Sequence, residues 1–350
     1  MADIIGLAVT HGPYVGYPEA SMTGLLRRFL QSPKTPEELR NPANWPAPMR
    51  AEWGEDEGLS AAYKHRQELV DGFLRIRKVL DDFNPDVVLI WGDDQYENFR
   101  EDIVPAFCVF AEDQFSCKPW SRPGAGGTAE NVWGEDADWT LNVKGSPAIA
   151  RDLATYLLEN KFDIAYAYKQ LHHDFSHAFW RTVVHLDYER KGFDYPVIPF
   201  NVNCYGSSFT RGLGEEARDP PSPSPERCFE IGAATAAFFA QSPHRVALIG
   251  SSSWGHASLT AKNHFLWPDV EADKARFEEL RVGDYQAWRK LPLSQLEDSG
   301  QHELLNWLTL AGAMDYLGQK PDICEFVEAW IFNSCKAFAS FPPQVAATTA

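Results

Sequence analysis

The chain has 350 residues, room for one large domain or two small ones at roughly 100–200 residues per domain. Hydrophobic residues make up 44% and charged residues 23%, an ordinary globular balance that excludes disorder or a fibrous repeat for the bulk of the chain. With 32 Lys and Arg against 49 Asp and Glu the net charge is −17, so the chain repels a phosphate backbone and nucleic acid is not an expected partner.

In chain order, the first buried strand is predicted at Ile4–Val9. A helix capped near Ser60 runs to about Phe83, with Tyr63, Leu69, Val70, Phe73, Ile76, Val79 and Leu80 on a helical stripe. A second strand follows at Val87–Trp91, a helix at Ala148–Leu158, and strands at Ile164–Tyr168 and Val197–Val202. Ser224 is a candidate cap for a helix over Pro225–Gln241, which leads into a fifth strand at Val246–Ile249. Two further amphipathic helices are expected at Asp298–Tyr316 and Asp322–Ala339. Strands alternating with helices predict an α/β fold, an open mixed or parallel sheet with helices on both faces.

Residues 31–57, 111–146 (with Gly124, Gly126 and Gly127) and 204–224 break this rhythm, and their aromatic content predicts long covering loops over a site. We expect a single catalytic domain over 1–343 and a frayed tail over 344–350. No two of the six cysteines have C-x-x-C spacing, so they read as small buried hydrophobes. Runs such as Val87–Trp91 are far short of the ~20 apolar residues that span a bilayer, and Met1-Ala2-Asp3 lacks a signal peptide's basic segment. The expectation is a cytoplasmic protein without membrane contact.

Ligands of open α/β sheets bind beyond the carboxyl ends of the strands. Here those ends carry polar clusters: Thr10-His11-Gly12, Gly92-Asp93-Asp94-Gln95-Tyr96-Glu97, His172-His173-Asp174-Phe175-Ser176-His177 and Gly250-Ser251-Ser252-Ser253-Trp254-Gly255-His256. Singly, each has a structural explanation: His11 as a hydrogen-bonded residue, Asp93-Asp94 as a solvated turn or helix cap, most of the clustered histidines as hydrogen-bonding groups. Together they predict one rim holding several imidazoles and carboxylates. Ser251–Ser253 lies in no Gly-x-Ser-x-Gly elbow, and there is no Gly-Lys-Ser/Thr phosphate loop.

Several motifs resemble the class III extradiol ring-cleavage dioxygenases, over most of the chain from His11 to about residue 318. They are the strand ending in Thr10-His11, the strand Pro85–Ile90 with its Asp-Asp-Gln turn, and Ser176-His177 followed by Val197-Ile198-Pro199. Further along come the Ser/Gly turn ending at His256 with Glu271-Ala272-Asp273 downstream, and Gly300–Trp307 leading to Ala311-Gly312-Ala313. The resemblance implies a non-haem Fe(II) held by two histidines and a glutamate, leaving positions open for a small dihydroxy-aromatic substrate and O2. It implies His11 and Glu271 as ligands, His177 as the acid–base histidine, and His256 as a second catalytic histidine beside the site. The second iron histidine is replaced by Gln95. Gln95 as the third ligand, its replacement by Asp94, His173 or His256, or a metal-free relative are all compatible with that change. The substrate is of catechol, aminophenol or dihydroxypyridine type, and Trp120, Trp133 and Trp254 are candidates to stack on its ring. A homo-oligomer is the default expectation, with a small partner subunit as a further option. The alternatives from other classes are a metal-free binding or regulatory module and a zinc hydrolase using His11, Asp94 and Glu271.

Overall fold

The computed structural model describes residues 3–121, 129–206 and 220–343. The predicted tail, the glycines Gly124, Gly126 and Gly127, and 207–219 of the third predicted loop lie outside them.

Ten strands are described: β1 Ile4–Val9, β2 Val87–Gly92, β3 Phe107–Phe110, β4 Gln114–Cys117, β5 Leu141–Lys144, β6 Ala165–Ala167, β7 Val197–Val202, β8 Val246–Ser251, β9 Ile323–Val327 and β10 Lys336–Phe341. Among the described residues six helices have ten or more residues: α1 Leu59–Phe83, α2 Pro147–Glu159, α3 His177–Leu186, α4 Pro225–Ala240, α5 Val270–Val282 and α6 Leu304–Leu317. Eight strands form one open sheet in the order β6-β3-β7-β2-β8-β1-β10-β9, and β4 and β5 form a separate antiparallel pair. The central strands β7, β2, β8 and β1 are parallel; β3 joins β7 and β10 joins β1 in antiparallel fashion. This is the expected mixed α/β sheet.

Both faces of the central strands are buried, so their sequences are continuous apolar runs. Side chains alternate between two cores: Ile4, Ala8, Val87, Leu89 and Leu248 enter one, and Ile5, Leu7, Val9, Val88, Ile90 and Ile249 the other. Helices α4 and α6 cover the first face. They approach backbone to backbone, since a Cβ added at Gly232 would meet the Thr309 carbonyl oxygen and one at Gly312 the Phe229 carbonyl oxygen. Helices α1 and α3 pack on the second.

The structure corrects two predicted helices. Asp322–Ala339 is not a helix: Phe326, Val327, Trp330 and Ile331 mimic helical spacing, but they divide between β9 and the connection to β10. In β10, Ala337, Ala339 and Phe341 face one core and Phe338 the other, the period of two of a strand lying against β1. The helix predicted over Asp298–Tyr316 begins only at Leu304, because Gly300 has φ +67° and breaks the chain direction after a short helix at Leu293–Asp298. Five of the cysteines are buried, Cys324 is half-buried, and all are free. Trp254 is fully buried against Trp288 and Trp307, so it is a core residue and not a stacking platform.

Candidate metal and substrate site

The carboxyl ends of β1, β2 and β8 lie side by side in the sheet, which brings His11, Asp93 and Ser251 to one rim. His11 is only 2% exposed. Its Nδ1 is 3.1 Å from Ser251 Oγ, Ser251 Oγ is 2.6 Å from Thr182 Oγ1, and Thr182 donates to the Ala178 carbonyl at 2.6 Å. Because the Thr182 proton is committed, Ser251 donates to Thr182 and accepts from His11 Nδ1–H. This chain assigns the tautomer and leaves His11 Nε2 as the unprotonated nitrogen.

Among the described residues that nitrogen has no hydrogen-bond partner, yet Glu303 Oε2 is 3.1 Å away and Asp93 Oδ1 3.5 Å away. A lone pair and two carboxylates converging in a buried space repel one another unless a proton or a metal cation lies among them. One donor atom each from His11, Asp93 and His177 also lie within 4.8 Å of one another.

Glu303 immediately precedes α6, where the helix N-terminus favours negative charge. Its Oε1 accepts from Tyr205 at 2.5 Å, and its Oε2 from the Ser253 amide at 2.9 Å. Burial pushes the Glu303 pKa up, but the His256 imidazole and the hydrogen bond from Tyr205 pull it down, and it lies below the usual carboxylate range. Asp93 is fully buried and accepts from Asn306 Nδ2 at 3.1 Å. Its pKa is raised by burial and by the adjacent Glu303 carboxylate. His256 Nε2 is 3.4 Å from Glu303 Oε1, and burial lowers the His256 pKa against the opposing pull of Glu303.

His177 opens α3. Its Nδ1 is 2.8 Å from Glu97 Oε2, its backbone N–H donates to the same carboxylate, and its ring meets His11 edge-on at 5.2 Å. Burial alone would raise the Glu97 pKa, but His177 holds it down at about 2. In return Glu97 outweighs the burial of His177 and raises the imidazole pKa.

Of the predicted site residues, the structure brings His11, Gln95, His177 and His256 to one cavity of about 420 Å³, together with Glu303, Glu97 and Tyr205. It does not bring Glu271 there. The Glu271 side chain is 83% exposed on the first turn of α5, 3.6 Å from Lys274. The neighbouring Asp273 is the buried acid of that turn, and it accepts from the Gly255 amide and Gln301. The glutamate beside His11 is Glu303. Its signal was the polar triplet Gln301-His302-Glu303 ahead of a helix apolar on every side, whose N-terminus therefore starts in the core.

Gln95 does not present an amide oxygen to this cluster. Three acceptors face one end of its amide: Tyr205 Oη at 3.0 Å, Glu303 Oε1 at 3.2 Å and Asp93 Oδ2 at 3.3 Å. That end is therefore the nitrogen. Asp94 is used by the backbone, accepting from the amides of Glu97, Asn98 and Phe99 and from Ser176. His173 stands 3.9 Å from Glu97 and borders a second cavity of about 270 Å³ with Trp120. Trp133 packs on Arg190 and Trp120. With Asp94 capping a turn and Glu271 at the surface, the ligand set expected of a zinc hydrolase is not assembled.

No protein-family model matches the chain. Among curated proteins it is similar to a 2,3-dihydroxyphenylpropionate/2,3-dihydroxicinnamic acid 1,2-dioxygenase of Photorhabdus laumondii subsp. laumondii, at 25% identity over 212 residues, 60% of this chain and 55% of that protein. A protein of the same name from Comamonas testosteroni is 29% identical over 184 residues, 51% of this chain and 46% of its own. One from Rhodococcus globerulus is 27% identical over 184 residues, 53% and 48% respectively. The chain spans about half the length of the curated relatives it matches. These likenesses bear out the resemblance to extradiol dioxygenases read from the motifs.

Proposed function

We propose that this chain is an extradiol ring-cleavage dioxygenase that holds Fe(II) between His11, Asp93 and Glu303 and opens a dihydroxy-aromatic or closely related ring with O2. The observation that carries the reading is the buried, unpartnered His11 Nε2 with two carboxylates converging on it. One imidazole and two carboxylates suit a divalent cation of intermediate hardness, and their charge balances the ion. When bound, iron supplies open positions where substrate and O2 meet.

The remaining roles follow from the chain's own groups. Ser251 fixes the His11 ring through Nδ1, as outer hydrogen bonds do for metal-binding histidines. Gln95 donates to Asp93 and Glu303, easing the repulsion between two buried acids. His177 is the proton carrier: Glu97 holds its Nδ1, so Nε2 is the nitrogen that takes a proton from a substrate hydroxyl and returns it to product. His256 borders the same cavity beside Glu303 and is a hydrogen-bond partner for substrate oxygen.

The test is anaerobic loading with Fe(II), metal analysis, and O2 uptake against a panel of catechols, aminophenols and dihydroxypyridines. The reading predicts about one iron per chain, uptake matched to ring-opened product, and a yellow chromophore. A chain that binds no iron, or binds it and consumes no O2 with any of these compounds, would contradict it.

A further inference from the structure

The cavity around His11 is lined by the acids Glu97 and Glu303, with Asp93 buried behind them, in a chain of net charge −17. Among the described residues its lining holds a single lysine or arginine, Arg181. Arg181 also lines the second cavity, as do Glu97 and His177, so the two spaces adjoin at these three side chains. On α3, Arg181 is four residues from His177, which sets both on one helix face about 6 Å apart along the axis.

Other cations of this region are committed. Arg190 holds Glu135, Lys118 holds Asp138, and buried Lys336 donates to two carbonyls. Arg181, by contrast, makes no hydrogen bond or ion pair with any described residue; its guanidinium lies only over the Trp180 ring, 5.1 Å from the centroid. A permanently charged, planar fork with free donors, half-buried at the meeting of two cavities, matches a carboxylate in charge and geometry.

We propose that Arg181 is the specificity-determining residue of this site, its guanidinium binding an anionic group of the aromatic substrate one helical turn from His177. This rests on the ring-cleavage reading of the same site. The reacting hydroxyls lie toward His177 and His11, and the anionic group lies one helical turn away at the mouth of the second cavity. In a pocket lined by acids, a neutral ring gains nothing from Arg181, whereas an anionic one needs it to offset repulsion.

The experiment pairs each acid with its uncharged, nearly isosteric amide: 3,4-dihydroxybenzoate with 3,4-dihydroxybenzamide, and 3-(2,3-dihydroxyphenyl)propionate with its amide. Binding to the iron-loaded protein is measured anaerobically by calorimetry, and turnover by O2 uptake, for the wild type, Arg181→Met and Arg181→Lys. The wild type is expected to bind at least one acid roughly 10- to 100-fold more tightly than its amide, the range of a charge-assisted hydrogen bond. Arg181→Met is expected to lose that preference and Arg181→Lys to keep part of it, with the change in KM rather than kcat. Equal affinity for acid and amide in the wild type, no binding of either acid, or a preference that survives Arg181→Met would overturn the proposal. An Arg181-dependent preference for an acid that is bound but not cleaved would sustain it and overturn ring cleavage alone.

Discussion

Replacing Glu97 by Gln keeps the shape of the side chain and removes the charge that holds His177. In the folded protein the Glu97 pKa is about 2 against an ordinary 4.5, and the carboxylate accepts from both the backbone N–H and the Nδ1 of His177. That difference corresponds to about 3 kcal/mol of stability at neutral pH. The sign follows from each partner. A depressed carboxylate contributes above its unfolded value near 4.5 and loses the contribution as pH falls toward 2. The raised His177 contributes below its unfolded value of 6.5 and loses the contribution as pH rises through its folded value. The pair is therefore strongest between about pH 4.5 and 6.5. Denaturant unfolding of wild type and Glu97→Gln across pH 5–9 should show a deficit of about 2–3 kcal/mol near pH 5.5 that shrinks toward pH 9. In turnover, burial without Glu97 lowers the His177 pKa, so the acidic limb of the kcat/KM profile should move to lower pH while the rate falls about 10²-fold. A deficit independent of pH, together with an unmoved acidic limb, would refute the coupling of Glu97 to His177.

His177→Ala should retain iron while losing roughly 10²–10⁴-fold in turnover, seen by metal analysis beside O2 uptake; activity near wild type would remove His177 from proton transfer. Ser251→Ala, which breaks the hydrogen-bond chain behind His11, should weaken metal affinity about 10- to 100-fold by competition with a chelator, and unaltered affinity would show that the chain does not orient the ring. Gly312→Ala puts a methyl group against the backbone of α4 at Phe229 and should destabilise by about 3 kcal/mol or more in thermal unfolding; a neutral effect would mean that the α4–α6 packing yields easily.

The strands at Ile4–Val9 and Val197–Val202 were legible in full because a parallel strand buried on both faces is written as an unbroken apolar run. The hairpin strands β4 and β5 were not, since four residues such as Gln114–Cys117, with Gln114 exposed and Ser116 half-buried, carry too little pattern to separate from a loop. The misread helix at Asp322–Ala339 had the right apolar spacing, and only pairing with β1, more than 300 residues away in sequence, selects the strand. At the site, the polar clusters at the strand ends contained His11, His177 and His256, and the resemblance to extradiol dioxygenases distinguished their roles. The acidic ligand was less legible. Glu271 and Glu303 each sit at the start of a helix, and sequence spacing does not show which helix begins in the core. The composition of the helices does: α5 alternates charged and apolar residues, whereas α6 is buried over most of its length. Tyr205 and Glu97 lacked any signal beyond closeness to predicted strand ends, because their roles arise from contacts 98 and 80 residues distant in sequence.

A cation shared by His11, Asp93 and Glu303 is tested most directly by iron content after anaerobic Fe(II) loading and desalting of two alanine variants, Glu303→Ala and Glu271→Ala. We expect Glu271→Ala to keep about one iron per chain, since its side chain is at the surface, and Glu303→Ala to retain almost none. Iron lost from Glu271→Ala and kept by Glu303→Ala would contradict the site.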